Sequence, residues 1–266
     1  MEIPHERWFT AIKQRHSRRQ FDSGRSIPPE MWQRLQALSR SFKPFPGIRL
    51  ELSTTAPETI FKGAVGSYGK VKGAPAYMAV IANTHQPSFQ EAAGYTAEGL
   101  ILEATSMGLS TCWVAGMFHA EAAAKQIPIR RGERILTVSP IGYAAADKTL
   151  EEKILSGIAR SRNRIPTAQF VTGIDLAHCP VWISDALEAV RLAPSARNRQ
   201  PWRLQFEPGA VVISTSGGIS EFGISKRLDC GIAMLHFEVA ARFHKITGRW
   251  QLLEPSRVAR FTFAKV

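Results

Sequence analysis

Residues 193–202 of this 266-residue chain read APSARNRQPW, a short polar loop enclosed by two prolines. The segment before it, Val181–Leu192, carries apolar side chains at helical spacing, which predicts an amphipathic helix. Pro194 ends that helix and Pro201 starts an extended run, because a proline disfavours the α conformation in the residue before it. Pro-Ser-x-x-Asn alone would indicate an ordinary turn, but its serine and asparagine also suit hydrogen bonds to a flat heterocycle.

The composition of the chain is that of an ordinary globular protein, with 44% hydrophobic and 21% charged residues. Its length suits one compact fold or two closely packed halves. The three cysteines are widely spaced and indicate neither a disulfide framework nor a metal-ligand pattern. The first residues lack a secretory signal pattern, and the apolar stretches fall short of the roughly 20 residues that a membrane span needs. We therefore expect a cytoplasmic protein with no membrane partner and no metal.

The net charge of +12, from 34 basic and 22 acidic residues, favours an anionic partner. Nucleic acid, anionic lipid and a phosphorylated small molecule all remain open on charge alone. The basic residues lie in short clusters at 15–19, 130–134 and 160–164, without a basic tail or a zinc-finger signature. This distribution favours a phosphorylated small molecule, and we expect no nucleic-acid partner.

The chain repeats one pattern imperfectly. A glycine, an alanine and a tryptophan recur at a constant offset of 137 residues, as Gly94 and Gly231, Ala104 and Ala241, and Trp113 and Trp250. Upstream of each glycine, a helix, a loop and a strand follow one another at 29–52 and again at 181–206. Two similar helices alone would be a weak signal, but the ordered series indicates an internal duplication.

The two copies lack different parts. The first carries SFKPFPG at residues 41–47, where the second has the serine–asparagine loop. Only the first has the strand-like segments 76–82 and 135–138, the turn at 111–118 and a helical segment near 120–126. Complementary losses of this kind predict one shared site between the halves rather than two separate sites.

A second informative stretch is QRHSRRQFD at residues 14–22. Alone, it would fit a solvated basic helix end, where cations complement the helix dipole. With IPPE at 27–30 and the APSxxNxQPW loop, it resembles the opening and the flavin-contacting loop of the nitroreductase-like FMN flavoproteins. In that family the first arginine, the serine and the later basic residue hold the ribityl phosphate, at positions that Arg15, Ser17 and Arg19 occupy here. A phosphate dianion needs such forked, permanently charged donors and a hydroxyl.

The resemblance implies further flavin contacts. Arg162 and Arg164, in the basic segment before Pro166, match residues that return to the phosphate. Lys70 falls where the family places a ring or ribityl contact. The family's ring and ribityl loop matches Pro194, Ser195, Ala196 and Asn198, and its turn beside the flavin N5 matches Val114, Ala115 and Gly116.

The turn beside N5 departs from the family at one position. Gly116 would let the main chain approach a flat ring closely, but Ala115 stands where the family often has a carboxylate, which leaves the handling of nicotinamide open. Gln200 and Trp202 are expected to brace the loop rather than touch the flavin. No catalytic acid or base is implied, because the flavin itself carries the chemistry.

The implied fold class is α+β, a nitroreductase-like fold with a mixed, mainly antiparallel sheet flanked by helices. In family homodimers the arginine block and the serine–asparagine loop come from different subunits, whereas here Arg15 and Ser195 share one chain. The resemblance is therefore to the single-chain branch of the family, in which two degenerate halves form an intramolecular pseudo-dimer. We place the halves at residues 1–170 and 171–266, around a shared core, and expect a monomer or a weak homodimer.

The implied function is that of an FMN-dependent oxidoreductase. It would pass hydride from NAD(P)H through the flavin to an electron-poor small-molecule acceptor, such as a nitroarene or a quinone. Two alternatives stay open: a flavin-binding carrier or sensor without turnover, and a basic nucleic-acid-binding module. The latter predicts binding with a steep salt dependence and a purified protein without bound flavin.

We predict structural rather than catalytic roles for two polar residues near the second repeated glycine. Asp229 precedes Gly231 by two positions and is predicted to be the N-cap of the helix that begins there. His236 lies between Leu235 and Phe237 and is predicted to be a satisfied core histidine rather than a metal ligand.

Overall fold

The computed structural model describes residues 2–61, 71–116, 118–146, 163–217 and 224–263. Within these ranges the α-helices are α1 (His5–Gln14), α2 (Pro29–Ser41), α3 (Pro57–Phe61), α4 (Phe89–Ser106), α5 (Ala120–Gln126), α6 (Val181–Leu192) and α7 (Lys226–Phe243). Short 3-10 turns occupy Thr167–Gln169 and Ala196–Asn198. None of the described helices combines the length and the apolar character that a membrane crossing requires.

The strands of the described residues form two five-stranded sheets. They are β1 (Ile48–Ser53), β2 (Ala76–Asn83), β3 (Ser110–Thr111), β4 (Val114–Ala115), β5 (Glu133–Gly142), β6 (Val171–Thr172), β7 (Trp202–Glu207), β8 (Ala210–Thr215), β9 (Gly248–Leu252) and β10 (Arg257–Phe263). The first sheet has the order β1-β2-β5-β3, with β4 also paired to β5, and its pairings are antiparallel. The second has the order β6-β7-β8-β10-β9 and is antiparallel except where β6 meets β7. The mixed, mainly antiparallel arrangement is confirmed, although it is divided between two sheets.

The proline-bounded helix has the predicted limits. α6 follows Pro180 and ends before Pro194, and its apolar face is buried through Trp182, Ile183, Ala186, Leu187 and Val190. The predicted helix at 120–126 is also present as α5. In the first sheet, the predicted strand at 135–138 is present within the longer β5.

The two long helices begin earlier than the repeated glycines suggested. Gly94 and Gly231 lie inside α4 and α7, one turn or more after their first residues. A Cβ atom at Gly94 would stand 2.1 Å from the carbonyl oxygen of Leu228, and one at Gly231 would stand 2.0 Å from that of Glu91. The glycines are therefore required by close contact between two helix backbones, not by helix initiation.

The predicted N-cap at Asp229 is wrong. Ser225 precedes α7, and its Oγ accepts a hydrogen bond from the backbone N–H of Arg227 at 3.1 Å. Asp229 lies in the first turn of the helix, where its carboxylate is directed to the loop at 196–199 instead. A serine four residues upstream serves as the cap because the helix begins that much earlier.

The two halves of the chain share one topology. Helices α4 and α7 start at residues 89 and 226 and end at 106 and 243, so the offset is 137 at both ends. The order β1-β2-β5 in the first sheet corresponds to β7-β8-β10 in the second. The prediction that only the first half has strands like those at 76–82 and 135–138 is therefore wrong, because β8 and β10 are their counterparts. The glycine contacts between α4 and α7 are reciprocal, as at an isologous twofold interface. These features support the duplication, while the pseudo-dimer and its boundary at residue 170 stay predictions.

The long helices form the centre of the molecule. Helix α4 contacts β1, β2 and β3, helix α7 contacts β7 and β8, and the two helices pack against each other. The layers therefore run sheet, helix, helix, sheet, with α1 against both central helices and α6 against α7. The chain that leaves α1 consequently enters the region where the two halves meet.

Candidate functional site

The arginine block, residues 14–22, lies between three segments of the first half and pairs with each of them. Single bridges join Ser17 to Thr111, Gln20 to Lys72 and Phe21 to Ala144. The backbone N–H of Arg18 also donates to the carbonyl of Thr111 at 2.9 Å. The block therefore lies beside β3, close to the predicted turn at 114–116. Of its three predicted phosphate ligands, Arg15 is buried, and Ser17 and Arg19 are half-buried.

Arg15 is a buried cation with unused donors. Its side chain is 5% exposed, and its Nε lies 3.8 Å from Oε1 of Glu98, beyond hydrogen-bond distance. Neither Nε nor Nη1 has a hydrogen-bond acceptor among the described residues. A buried, incompletely bonded guanidinium is costly unless an anion satisfies it. The geometry around Arg15 therefore suits an anionic ligand.

Glu98 connects the elements around Arg15. One carboxylate oxygen lies 2.9 Å from Nε2 of His236, and the other accepts from the indole N–H of Trp113 at 2.7 Å. Nδ1 of His236 lies 2.8 Å from the carbonyl oxygen of Ala189 in α6. The core histidine is thus satisfied, as predicted. No sequence motif identified Glu98, whose only signal is that it stands alone as a charged residue within the segment 92–102 of α4.

Arg164 connects the surroundings of Arg15 to the serine–asparagine loop of the second half. Its guanidinium donates to Oδ1 of Asn198, and also to the carbonyl of Leu192 at 3.3 Å. Burial, together with the positive charges of Arg15 and Arg191, lowers the pKa of Arg164 to about 10. Arg164 therefore stays protonated at neutral pH and is repelled by Arg15. Two repelling, partly desolvated guanidinium groups favour an anion between them.

Two other predicted phosphate or ribityl ligands, Lys70 and Arg162, lie outside the described residues.

The serine–asparagine loop is braced against the segment that carries Arg164. The backbone N–H of Gln200 donates to Oγ of Ser195 at 2.9 Å, and the amide of Asn198 donates to the carbonyl of Asn163 at 2.6 Å. The side chain of Gln200 accepts from the backbone N–H of Ile165 at 3.0 Å, which agrees with its predicted bracing role. Pro194 is buried, and Ser195 and Ala196 are half-buried. Their contacts with a flavin stay predictions.

Asp229 anchors the same loop from inside α7. Its carboxylate accepts from the backbone N–H of Ala196 at 3.1 Å and from Nε of Arg199 at 2.7 Å. Burial raises the pKa of Asp229 to about 6, although Arg199 and the Ala196 N–H act in the opposite direction. The buried carboxylate makes the stability of this region depend on pH.

We expect the Asp229 linkage to favour the folded state at low pH. The carboxyl has a pKa of about 6 in the folded protein and 3.8 as its reference value, so the folded state takes up the proton first. The stabilisation is fully present below about pH 4 and is lost as the pH rises through 6. Asp229→Asn keeps an acceptor for Ala196 but does not titrate. The stability of the wild type relative to this variant should therefore fall by up to about 3 kcal/mol between pH 4 and 7.

The measurement is denaturant unfolding of both proteins at several pH values between 4 and 7. Asp175→Asn provides a control of opposite sign, because a hydrogen bond from His178 lowers the pKa of the exposed Asp175. A stability difference between wild type and Asp229→Asn that stays constant with pH would contradict the assignment.

The predicted turn beside N5 lies next to the Glu98 cluster. Val114 and Ala115 form β4 and pair with Val138 and Thr137 of β5, and the Thr137 hydroxyl donates to the Val114 carbonyl at 2.8 Å. Gly116 is exposed and has a φ of +75°, a conformation that strains other residues. Trp113, which precedes this turn, donates a hydrogen bond to Glu98, and Glu98 in turn lies 3.8 Å from Arg15. These two contacts connect the turn to Arg15. Its approach to a flavin ring stays a prediction.

A separate open groove of about 890 Å³ contains none of the predicted site residues. It lies between the end of α2, the loop at 43–47, strand β1 and the turn at 130–133, and its cations are Arg40, Lys43, Arg49, Arg130 and Arg131. The loop in this groove is the first-half counterpart of the serine–asparagine loop. Within the described residues, no group of three or more His, Cys, Asp or Glu side chains could hold a metal.

The family comparison agrees with this geometry. Residues 8–241 match the model of a family described as "Putative TM nitroreductase". The chain belongs to this nitroreductase family. The match spans both the arginine block and the serine–asparagine loop, and the nitroreductase-like α+β fold is confirmed.

Several solved structures are similar to this chain. A crystal structure described as a "putative nitroreductase" from Thermotoga maritima is 23% identical, with a TM-score of 0.66 over 98% of this chain and 96% of that chain. A nitroreductase with bound FMN from Desulfitobacterium hafniense is 15% identical over 64% of this chain and 99% of its own, with a TM-score of 0.48. One with bound FMN from Bacteroides fragilis is 15% identical over 54% and 91%, with a TM-score of 0.43. A search of curated proteins found no match.

Proposed function

We propose that this nitroreductase-family protein is an FMN-dependent oxidoreductase whose Arg15 and Arg164 bind the ribityl phosphate. The observation that carries the proposal is the buried Arg15 side chain, with two nitrogens that lack acceptors among the described residues. Arg164, close enough to Arg15 for the two charges to repel, adds a second cation. A phosphate ester carries about −1.5 to −2 charges at neutral pH, which matches two guanidinium groups.

The described residues around Arg15 leave its guanidinium only weakly paired. Glu98 lies 3.8 Å from Nε of Arg15, but its oxygens are engaged at shorter distances, by His236 at 2.9 Å and by Trp113 at 2.7 Å. Arg15 and Arg164 can therefore offer two guanidinium groups to a phosphate dianion.

The remaining predicted ligands complete the proposed cofactor site. Ser17 and Arg19 would add a hydroxyl and a third cation at the phosphate, with Lys70 and Arg162 as proposed ligands outside the described residues. The hydroxyl of Ser195, which accepts from Gln200, still has its proton to donate. The residues that we propose for the ring and ribityl chain are Pro194, Ser195, Ala196, Asn198, Val114, Ala115 and Gly116.

Bound FMN would supply the transfer of hydride from NAD(P)H to an electron-poor acceptor such as a nitroarene or a quinone. The protein's own residues bind the phosphate, orient the ring and limit the access of water. Besides its proposed contact with the flavin, Asn198 positions the site, because its side chain is hydrogen-bonded to Arg164 and to the Asn163 carbonyl. Ala115 offers no carboxylate, so contacts with the nicotinamide would have to come from the backbone and other residues. We propose no acid or base from the protein.

The test is to strip the purified protein of flavin and titrate it with FMN by visible absorption. We expect a dissociation constant of roughly micromolar or below, against a failure threshold of about millimolar. Anaerobic addition of NADPH or NADH should then bleach the bound flavin, and a nitroarene or quinone should restore its colour. Tight FMN binding without bleaching would indicate a carrier or sensor. Weak FMN binding would overturn the proposal.

A further inference from the structure

Among the described residues, the carboxylate that pairs with Arg15 does so at long range and without a hydrogen bond. Oε1 of Glu98 lies 3.8 Å from Nε of Arg15 but 2.9 Å from Nε2 of His236, and Oε2 accepts from Trp113 at 2.7 Å. Glu98 and His236 are fully buried, and the Arg15 side chain is almost fully buried. In such surroundings an arginine and a carboxylate normally form a short, two-point hydrogen-bonded pair. Here the carboxylate is held by other donors.

The direction of the hydrogen bonds at His236 can be assigned from its partners. The carbonyl of Ala189 only accepts, so Nδ1 of His236 donates to it. Nε2 and Glu98 Oε1 then share one proton, and the indole of Trp113 occupies the other oxygen. Both oxygens of Glu98 are therefore engaged by donors from outside the arginine block.

We propose that His236, assisted by Trp113, is a positioning residue that keeps Glu98 from forming a closed pair with Arg15, so that Arg15 remains available for the phosphate of FMN. The inference rests on the proposed function. Without the histidine, Glu98 would turn by about 1 Å toward Arg15 and accept from its Nε, one of the two guanidinium nitrogens that now lack acceptors among the described residues. The phosphate would then have to compete with an internal carboxylate for the same guanidinium.

The contact between His236 and Glu98 also joins the two halves of the chain. Glu98 lies in α4, His236 lies in α7, and the histidine is fixed by the carbonyl of Ala189 in α6. The helix that contains Ala189 leads directly into the serine–asparagine loop. Whether Arg15 is free to bind the phosphate therefore depends on how the helices of the second half pack against the first half.

The experiment compares the affinities of flavin-free variants for FMN and for riboflavin, which lacks the phosphate. His236→Leu should lower the FMN affinity by at least about tenfold, because Glu98 captures Arg15. Its riboflavin affinity should stay within about threefold of the wild type. His236→Gln retains a side-chain N–H for Glu98 and should remain close to the wild type for both ligands.

The decisive variant combines His236→Leu with Glu98→Gln. Removing the carboxylate's charge releases Arg15, so most of the lost FMN affinity should return. A purely structural role for His236 would lower the affinity for both flavins and would not be rescued by a second buried substitution. Phe237→Leu, a neighbouring core substitution in α7, serves as the packing control and should leave the ratio of the two affinities unchanged.

Failure of the inference can be separated from failure of the proposed function. If the wild type does not prefer FMN to riboflavin, the phosphate site itself is wrong. If it does, and His236→Leu keeps that preference, the positioning role of His236 is wrong. Should His236→Leu fail to fold, Trp113→Phe removes the other donor to Glu98 at a half-buried position. The same loss of phosphate preference is then expected, and its absence would overturn the inference.

Discussion

Replacing Arg15 by methionine is expected to weaken FMN binding by at least about 100-fold. The substitution removes the buried guanidinium whose Nε and Nη1 lack acceptors among the described residues. Each hydrogen bond from a charged donor contributes about 1.5–3 kcal/mol, and two of them correspond to two or more orders of magnitude in affinity. Riboflavin, without the phosphate, should bind the variant nearly as well as it binds the wild type.

The same substitution should stabilise the flavin-free protein. Removing Arg15 eliminates a buried, incompletely bonded charge, while Glu98 keeps its bonds to His236 and Trp113. An apolar side chain of similar length then raises the free energy of unfolding by about 1 kcal/mol or more. Opposite effects on ligand binding and on stability are characteristic of a residue retained for function.

Fluorescence titration with both flavins and denaturant unfolding of the flavin-free protein measure the two effects. Lys13→Met is the matched control, because it removes one positive charge from an exposed position just before the arginine block. The Nζ of Lys13 lies 4.6 Å from the centre of the Phe9 ring, so the substitution should cost at most about 1 kcal/mol of stability. It should leave the FMN affinity unchanged. An Arg15→Met protein that binds FMN within about threefold of the wild type would exclude Arg15 as a phosphate ligand.

Replacing Gly231 by alanine is expected to destabilise the protein by about 3 kcal/mol or more. In an unconstrained helix the change would stabilise by about 1 kcal/mol, because alanine is the better helix former. Here the new Cβ would stand 2.0 Å from the Glu91 carbonyl oxygen, so α4 and α7 would have to separate. Loss of close packing between two central helices outweighs the gain in helix propensity.

The reciprocal variant provides an internal check. Gly94→Ala places a Cβ 2.1 Å from the Leu228 carbonyl oxygen and should cost about as much. The double variant should lose less than the sum, because one separation of the helices accommodates both methyl groups. Gly217→Ala, where a Cβ meets no atom of the described residues within 4 Å, is the control and should change little. Unfolding free energies that rise in Gly231→Ala would show that the helices are not in backbone contact.

Much of the architecture could be predicted from local patterns. The helix Val181–Leu192 was predicted with its correct limits, because Pro194 after its C-terminal end and an apolar face with helical period act through the local backbone. The constant offset of 137 residues between paired glycines predicted the duplication that appears as two equivalent helices. The position of the glycines within those helices was misjudged. In the sequence, each glycine indicated the start of a helix. In the structure, a glycine is required at each position because the backbone of another helix lies against it.

Only some residues of the candidate site could be predicted from the sequence, for a related reason. Arg15, Arg164 and Asn198 belong to short motifs that a family resemblance can carry, and the described structure brings them together. Glu98 belongs to no such motif, and Asp229 was assigned to a helix cap rather than to the loop that it anchors. Their roles depend on what faces them after folding.

The amino-acid sequence by itself therefore determined the secondary structure around the prolines, the repeated halves and the motifs of the nitroreductase family. Only the tertiary structure decided that Glu98 is bonded to His236, 138 residues away, and stands back from Arg15. Backbone sterics and side-chain periodicity act between near neighbours, so they are visible in a linear pattern. The partner of a buried charge is chosen by long-range packing, because it is selected from every element that reaches the same desolvated place.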